Sequence, residues 1–527
     1  MEKNDKEVLN EDFVDIKIKE PNVFKRIGNG FVNFFKVSIP NFFTKKLPDF
    51  FKKIGTGIKN FGINFAKRWK EGSIGTKISH FIMGFGNLYH GQIVKGLIYL
   101  AIEVLFILYM VLCPAITGPG NVKVPTGYKS LGNLVLQGQE NRGFDPITMQ
   151  IIPDDSSQLF LLFGLVTIAI IILFIVLYLS NLKSSFKADK DAIEGKKPTT
   201  IKDDFKSLLD NRLHVLMIAP TCIAALIFTV LPTIFMICMA FTTYNDVEMQ
   251  AAGTNLFHWN GLSNIGAIFT GNSSLGKEIN ARFLPILGWT FIWAIFATFT
   301  CYFGGIILAI LINKKGLKGK KVFRTIFILT IAIPQFISLL AMRNLLSGEG
   351  PVNSLLQSWG WIDEPISFLG NNVTGNNATL SKVMVIIINM WLGIPYTMLM
   401  TSGILMNIPT DLYEAARVDG TSRPKMFFKI TLPYIVFVTT PYLISSFIGN
   451  INSFNTIFLL TGGGPSIGEY VGGETDLLVT WLYKLTIDKG MFNTGAVIGI
   501  LTFLITSTIT LITYRRSKAY NEEDTFQ

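Results

Sequence analysis

Two stretches of this chain carry neutral polar residues at helical spacing. In "NMWLGIPY", Asn389, Gly393 and Tyr396 stand at i, i+4 and i+7, on one face of a helix. In "SSFIGNINSFN", Ser446, Gly449, Asn450 and Ser453 stand at i, i+3, i+4 and i+7. Amides and hydroxyls hydrogen-bond sugar hydroxyls, and aromatic rings cover the apolar faces of a sugar. These faces therefore suit a neutral polyol. The same small and polar types also suit packing between membrane helices, and spacing alone leaves both readings open.

Signatures of catalysis are missing. There is no GxxxxGK[ST] phosphate loop; "EGSIGTK" at Glu71 and "EGKKPTT" at Glu194 miss its spacing. HExxH and GxSxG do not occur, and "GFGNLYHG" at Gly84 follows no strand pattern. Cys113, Cys222, Cys238 and Cys301 lie in apolar runs without a CxxC pair. His80, His90, His214 and His258 have no ligand spacing. The expectation is a non-catalytic chain with no metal site and no cofactor of its own.

The elements that must position the two polar faces are membrane spans. The chain has 527 residues, a mean hydropathy of +0.42 and 16% charged residues. A soluble domain carries about 25% charged residues. Eight apolar stretches reach the ~20 residues that cross a bilayer, at roughly 94–116, 159–180, 213–241, 285–312, 323–345, 382–405, 434–459 and 493–514. Pro114, Pro220 and Pro232 interrupt the first and third, which membrane helices tolerate. With the N-terminus inside, and the first 80 residues left out, inner segments carry 21 Lys and Arg against 7 outside. Both termini and the segment at Glu414 are thus predicted to be cytoplasmic. The net charge of +11 follows this membrane asymmetry and predicts no nucleic-acid partner. The polar, acidic first 20 residues predict no cleavable signal peptide.

Residues 1–80 form a basic extension. "FKRIGNGFVN" at Phe24 is echoed by "FKKIGTGIKN" at Phe51, and Pro21, Pro40 and Pro48 divide the region. Ile54, Ile58, Phe61, Phe65 and Trp69 repeat at helical spacing, opposed by Lys52, Lys53, Lys59, Lys67 and Arg68. Such a helix lies in the bilayer interface and favours anionic lipid. Within the spans, Glu103 is the clear charged residue. An intramembrane acid is either functional or satisfied by a neighbour.

Between the sixth and seventh spans stands "EAARVDGTSRPKMFFKITLP", Glu414 to Pro433. Thr410 is the expected N-cap of a short helix over 411–419, and Gly420 the expected left-handed stop. Thr421 or Ser422 then begins a second helix, closed by Pro433. Ala415 and Ala416 leave a close-approach surface, and Glu414 adds an acidic contact. A short rigid helix held outside the membrane suits docking in another protein's groove.

This segment resembles the EAA loop of binding-protein-dependent ABC importer permeases. Glu414-Ala415-Ala416, three residues, Gly420, nine residues, then Ile430-Thr431-Leu432-Pro433 match its pattern in full. "NMWLGIPY", "TTPYLISSF", "LLTGGGP" (Leu459 to Pro465) and "TDLLVTWLYKL" (Thr475 to Leu485) are similar to the MalF-type permeases of maltose and maltodextrin importers. The resemblance covers most of residues 213–514. It implies an all-α polytopic membrane protein with two extra N-terminal spans before a six-helix type I ABC importer core. The chain then divides into 1–80, an interfacial basic region; 81–212, two extra spans and a linker; 213–514, the permease domain with its EAA loop at 406–433; and 515–527, a cytoplasmic tail.

The resemblance also implies function. Glu414, Ala415, Ala416, Gly420, Ile430, Leu432 and Pro433 form the joint with the ATPase. Asn389, Gly393, Tyr396, Ser446 and Asn450 match the family's sugar contacts. Gly449 stands where the maltose permease has an aromatic ring, and Ser453 where an asparagine is expected, which widens the site for longer oligomers. Implied partners are a MalG-type second permease, two ATPase subunits carrying ATP and Mg, an extracellular sugar-binding lipoprotein, the oligosaccharide and membrane lipids. Only about 44 residues (242–285) separate the third and fourth spans. That absence of an inserted domain resembles the permeases of Gram-positive bacteria, at the plasma membrane. Alternatives are another oligosaccharide, polyol or glycerol phosphate cargo, an ion-coupled carrier, or a scaffold. The scarcity of intramembrane charge counts against ion coupling.

Overall fold

The computed structural model describes residues 47–112, 116–117, 123–124, 126–136, 144–145, 150–151, 156–196, 206, 209–210, 213–246, 256–271, 274–314, 316–370, 378–466 and 472–516. The repeat copy at Phe24, Pro21, Pro40, Cys113, Pro114 and the tail from 517 lie outside the described residues, as do the side chains of Ile54, Ile58 and Phe61. The chain divides into a unit ending at Lys67 and a unit running from Arg68.

The architecture is helical. Helix α1 (Leu47–Glu71) places Pro48 in its first turn, where a missing N–H costs nothing. Two short helices follow, α2 (Ile74–Ile78) and α3 (Phe85–Tyr89), then α4 (Ile93–Leu112), α5 (Tyr128–Leu136) and the 37-residue α6 (Ser157–Ile193). Two-residue strands pair antiparallel as β1 (Ile116–Thr117) with β2 (Lys123–Val124), and β3 (Phe144–Asp145) with β4 (Gln150–Ile151). The rest comprises α7 (Leu213–Ala240), α8 (Ser263–Thr270), α9 (Ser274–Asn313), α10 (Lys320–Ala332), α11 (Gln335–Leu345), α12 (Pro351–Ser358) and α13 (Ala378–Asn407). Then come α14 (Thr410–Val418), α15 (Arg423–Ile451), α16 (Phe454–Leu460), α17 (Leu478–Tyr483) and α18 (Phe492–Arg516). Seven described helices are long and apolar enough to cross a membrane.

The eighth predicted span is different. Residues 323–345 read as one apolar run, yet α10 and α11 meet at an angle of 95°. Ile333 and Pro334 leave helical geometry, with ψ of 128° and 131°. A proline disfavours the α region for its predecessor, and here Ile333 takes the extended alternative and the run breaks. Elsewhere proline is absorbed. Wide π turns at Leu226–Val230 and Phe427–Thr431 lie just before Pro232 and Pro433. Their i→i+5 bonds relieve the clash between the ring and the preceding turn. So Pro433 does not close a helix: α15 runs through it. The predicted seventh span also ends early, because Asn452 and Ser453 separate α15 from α16. The first span's helix is described as far as Leu112.

Residues 73–103 show why Glu103 is tolerated. Its Oε2 accepts the Met83 N–H at 2.8 Å, so a neighbour satisfies it. The α2–α3 hairpin is fastened to the far end of α6. Asp189, buried there, accepts from the Ser73 N–H and hydroxyl at 2.8 and 2.6 Å and pairs with His90 Nε2 at 2.5 Å. Asn181 Oδ1 accepts the Gly84 N–H at 2.9 Å.

Candidate functional site

Helices α9, α13 and α15 carry the polar faces. Glycines let α9 and α13 approach closely: a Cβ on Gly393 would stand 2.5 Å from Cys301 Sγ, and one on Gly305 2.4 Å from Thr397 Cβ. Asn389 joins that contact, its Nδ2 donating to Cys301 Sγ at 3.5 Å. On α15, Asn450 Nδ2 donates to Thr298 Oγ1 at 2.8 Å, and its carbonyl accepts the Trp293 indole N–H at 3.0 Å. Asn389, Gly393 and Asn450 therefore engage α9, which is the packing role their types allow.

The other predicted residues face more open space. Tyr396 is 54% exposed, and its ring lies 5.9 Å from that of Tyr442. A Cβ on Gly449 would meet nothing within 4 Å. Ser446 is half-buried beside it. Ser453, at the break after α15, donates from its hydroxyl to Thr456 Oγ1 at 3.1 Å. Tyr442 was not among the expected residues. It stands one turn before Ser446 and two before Gly449, so extending the stripe backwards finds it. Tyr302 Oη and Thr439 Oγ1, 2.6 Å apart and buried, join α9 to α15 below.

At the end of α13 the chain turns into α14. Pro409, not Thr410, occupies its N-cap, and no side chain caps it there. The far end is closed as the glycine predicts. Gly420 has φ of +69°, its N–H bonds Arg417 O at 3.0 Å, and the Thr421 N–H bonds Ala416 O at 2.9 Å. This Schellman pair satisfies the last carbonyls of the helix. Tyr413 Oη and the buried Thr431 Oγ1, 2.9 Å apart, tie α14 to the start of α15. The remainder of α14 is free: Glu414 and Ala415 are exposed, Ala416 is half-buried and Val418 is 88% exposed. Ile430 and Leu432 are half-buried and Pro433 is exposed; Leu432 packs on the Tyr302, Ile306 and Ile435 cluster. Next to this end, Arg324 Nη2 donates to Asn313 Oδ1 at 3.0 Å, and Asn313 Nδ2 to Ser402 Oγ at 3.0 Å.

The opposite end is clasped by charge. Glu474 accepts from Lys382 Nζ at 2.7 Å and Arg282 Nη1 at 3.4 Å, joining α13, α9 and the loop before α17. Asp476, fully buried, accepts from Lys484 Nζ at 2.7 Å, the Gly473 N–H at 2.7 Å and Thr480 Oγ1 at 2.9 Å. The Lys382 hydrogen bond holds the Glu474 carboxyl below its ordinary pKa, against the burial that would raise it.

A helical bundle crossing the membrane many times, with polar faces inside and a rigid exposed helix at one end, is the transmembrane component of a transport system. The chain belongs to the family described as binding-protein-dependent transport system inner membrane component, whose profile matches residues 301–518. It is similar to the maltodextrin transport system permease protein MalC of Streptococcus pneumoniae serotype 4, 31% identical over 84% of this chain and 95% of that one. It is similar to the galactooligosaccharides transport system permease protein GanP of Bacillus subtilis, 30% identical over 84% and 97%. The maltose/maltodextrin permease protein MalF of Escherichia coli K12 is 35% identical over 49% of each chain.

Proposed function

We propose that this chain is one permease subunit of an ATP-driven importer that carries maltodextrins. The observation that carries the reading is the 31% identity to a maltodextrin permease over 84% of the chain. The free α14 knob is consistent with it. A MalG-type permease pairs with the chain in the plasma membrane of a Gram-positive-type cell, two ATPase subunits bind the cytoplasmic side, and a sugar-binding lipoprotein delivers cargo outside. Both termini are cytoplasmic. ATP and Mg²⁺ act in the ATPases, and this chain hydrolyses nothing. Glu414, Ala415 and Ala416 are the surface the ATPase grips. Closure of the ATPases pulls on α14, the Gly420 joint and Tyr413 pass the pull to α15, and α9, α13 and α15 rock as one packed body. Tyr396, Ser446, Gly449 and Ser453 are the residues left to meet the sugar, while Asn389, Gly393 and Asn450, also expected on the path, hold its wall by packing on α9.

The test uses proteoliposomes of the assembled importer. Glu414→Lys or Gly420→Pro should abolish sugar-stimulated ATP hydrolysis while the subunit stays in the membrane. Normal stimulation in both variants would refute the coupling role. A galactooligosaccharide cargo is the second reading, favoured by the 97% coverage of a permease of that description. Stimulation by galactooligosaccharides and not by maltodextrins would select it.

A further inference from the structure

At the Glu474 end of the bundle, α9 and α13 line a groove of about 580 Å³. Gly288, Ile292 and Phe296 line it from α9, and Val383, Ile386 and Ile387 from α13. Ile292, Phe296, Val383 and Ile387 are each about half exposed. These walls are apolar, and no Cβ contact would oppose a side chain at Gly288. The groove runs from Pro285 to Phe296, about 16 Å at 1.5 Å per residue. That is half of the ~30 Å hydrocarbon core, the depth of one leaflet. Below Phe296 it ends, because Cys301 and Gly393 bring the two helices into contact.

Charge stands at the mouth. Lys382 Nζ lies over the Trp289 ring at 5.2 Å and pairs with Glu474, which Arg282 also approaches. Two cations face one carboxylate, so the cluster keeps a net positive charge. An apolar slot one leaflet deep with a cationic rim has the chemistry of a phospholipid site. A transmembrane helix from a partner would need a groove through both leaflets. We propose that the groove seats an acyl chain of an anionic phospholipid, whose phosphate lies on the Lys382–Arg282 rim. The inference stands whether or not the cargo is a sugar. The lipid adds to the contact between α9 and α13 at the end opposite α14, where Trp289, Trp293, Val385 and Ile388 already pack together.

The experiment is native mass spectrometry of the full chain, released from nanodiscs of phosphatidylcholine with equal phosphatidylglycerol. The wild type should retain phosphatidylglycerol about five-fold over phosphatidylcholine, the scale of one basic residue at an anionic surface. Gly288→Leu fills the slot and should lose both lipids. Lys382→Gln and Arg282→Gln should each cut the headgroup preference while some lipid stays bound. A thermal melt of each variant separates lipid loss from unfolding. Retention by a folded Gly288→Leu variant equal to wild type would overturn the site. Equal retention of the two lipids by the wild type would overturn the headgroup assignment. A photo-cross-linker on Ile292 should label lipid; capture of a partner polypeptide there would overturn the proposal in favour of a protein interface.

Discussion

At the α14 end, a nine-residue helix stands clear of the bundle, held by a Schellman turn and one Tyr413–Thr431 contact, with Val418 88% exposed. At the Glu474 end, the loop before α17 is folded inward. Asp476 is fully buried among Lys484, Gly473 and Thr480, and Glu474 joins two helices. One end exposes apolar and acidic surface with little internal demand for it. The other uses nearly every polar atom to hold itself together. Substitutions should therefore divide: those at the clasp cost stability, and those on the knob leave it nearly unchanged.

The largest break in this contrast should come from Asp476→Ala. It leaves Lys484 with an uncompensated, part-buried charge and frees the Gly473 N–H. Removing one partner of a buried pair costs about 3–5 kcal/mol. The thermal midpoint of the purified subunit should fall by several degrees; an unchanged midpoint would mean the clasp is not structural. A smaller loss, about 1–3 kcal/mol, should follow Gly393→Val, whose side chain would drive into Cys301. Gly449→Ala on the neighbouring helix adds a Cβ that meets nothing within 4 Å and should not lower the midpoint. Equal losses at both glycines would remove the distinction between packing and open faces.

Glu474→Gln tests the clasp more finely. The carboxyl's pKa is held below its ordinary 4.5, first by the Lys382 hydrogen bond. The stabilisation is therefore fully present above pH 4.5 and fades as the pH falls through the lower folded value. The pair is partly exposed, with side chains 26% and 28% accessible, so its worth is roughly 1 kcal/mol. The variant should be less stable than wild type at pH 7, and the gap should close in acid. A gap that does not change with pH would show that the charge contributes nothing.

How much of this was legible in sequence depends on where each residue's partners lie. The α14 joint could be read because its determinants are local: a glycine at a left-handed stop and small residues within one turn. The spans could be read from apolar length. The break at Pro334 could not, because Pro220, Pro232 and Pro433 sit in equally apolar runs and are absorbed. A wide turn precedes Pro232 and Pro433 but not Pro220, and no residue type announces which proline breaks its helix. The α2–α3 hairpin was opaque for another reason: Ser73, Gly84 and His90 find their partners on α6, about a hundred residues away. Separations of 88 and 152 residues likewise hide the role of Asn389 and Asn450, whose spacing fits a sugar face and whose side chains reach α9.

The smallest stability effect, and the sharpest test of the contrast, belongs to Val418→Ser. This valine makes almost no contact within the chain, so its loss should shift stability by no more than about 0.5 kcal/mol. An exposed valine is ordinary on a protein surface, and it contributes to binding only where a partner covers it. Covering it in the assembled importer should contribute to binding on the order of 1.5 kcal/mol, the low end for a buried aliphatic side chain. The variant should therefore hold its ATPase subunits about ten-fold more weakly in a pull-down titration, at an unchanged melting point. Unchanged affinity would place the gripped surface of α14 on the Glu414 side alone, and a lowered melting point would mean that the knob also supports the fold.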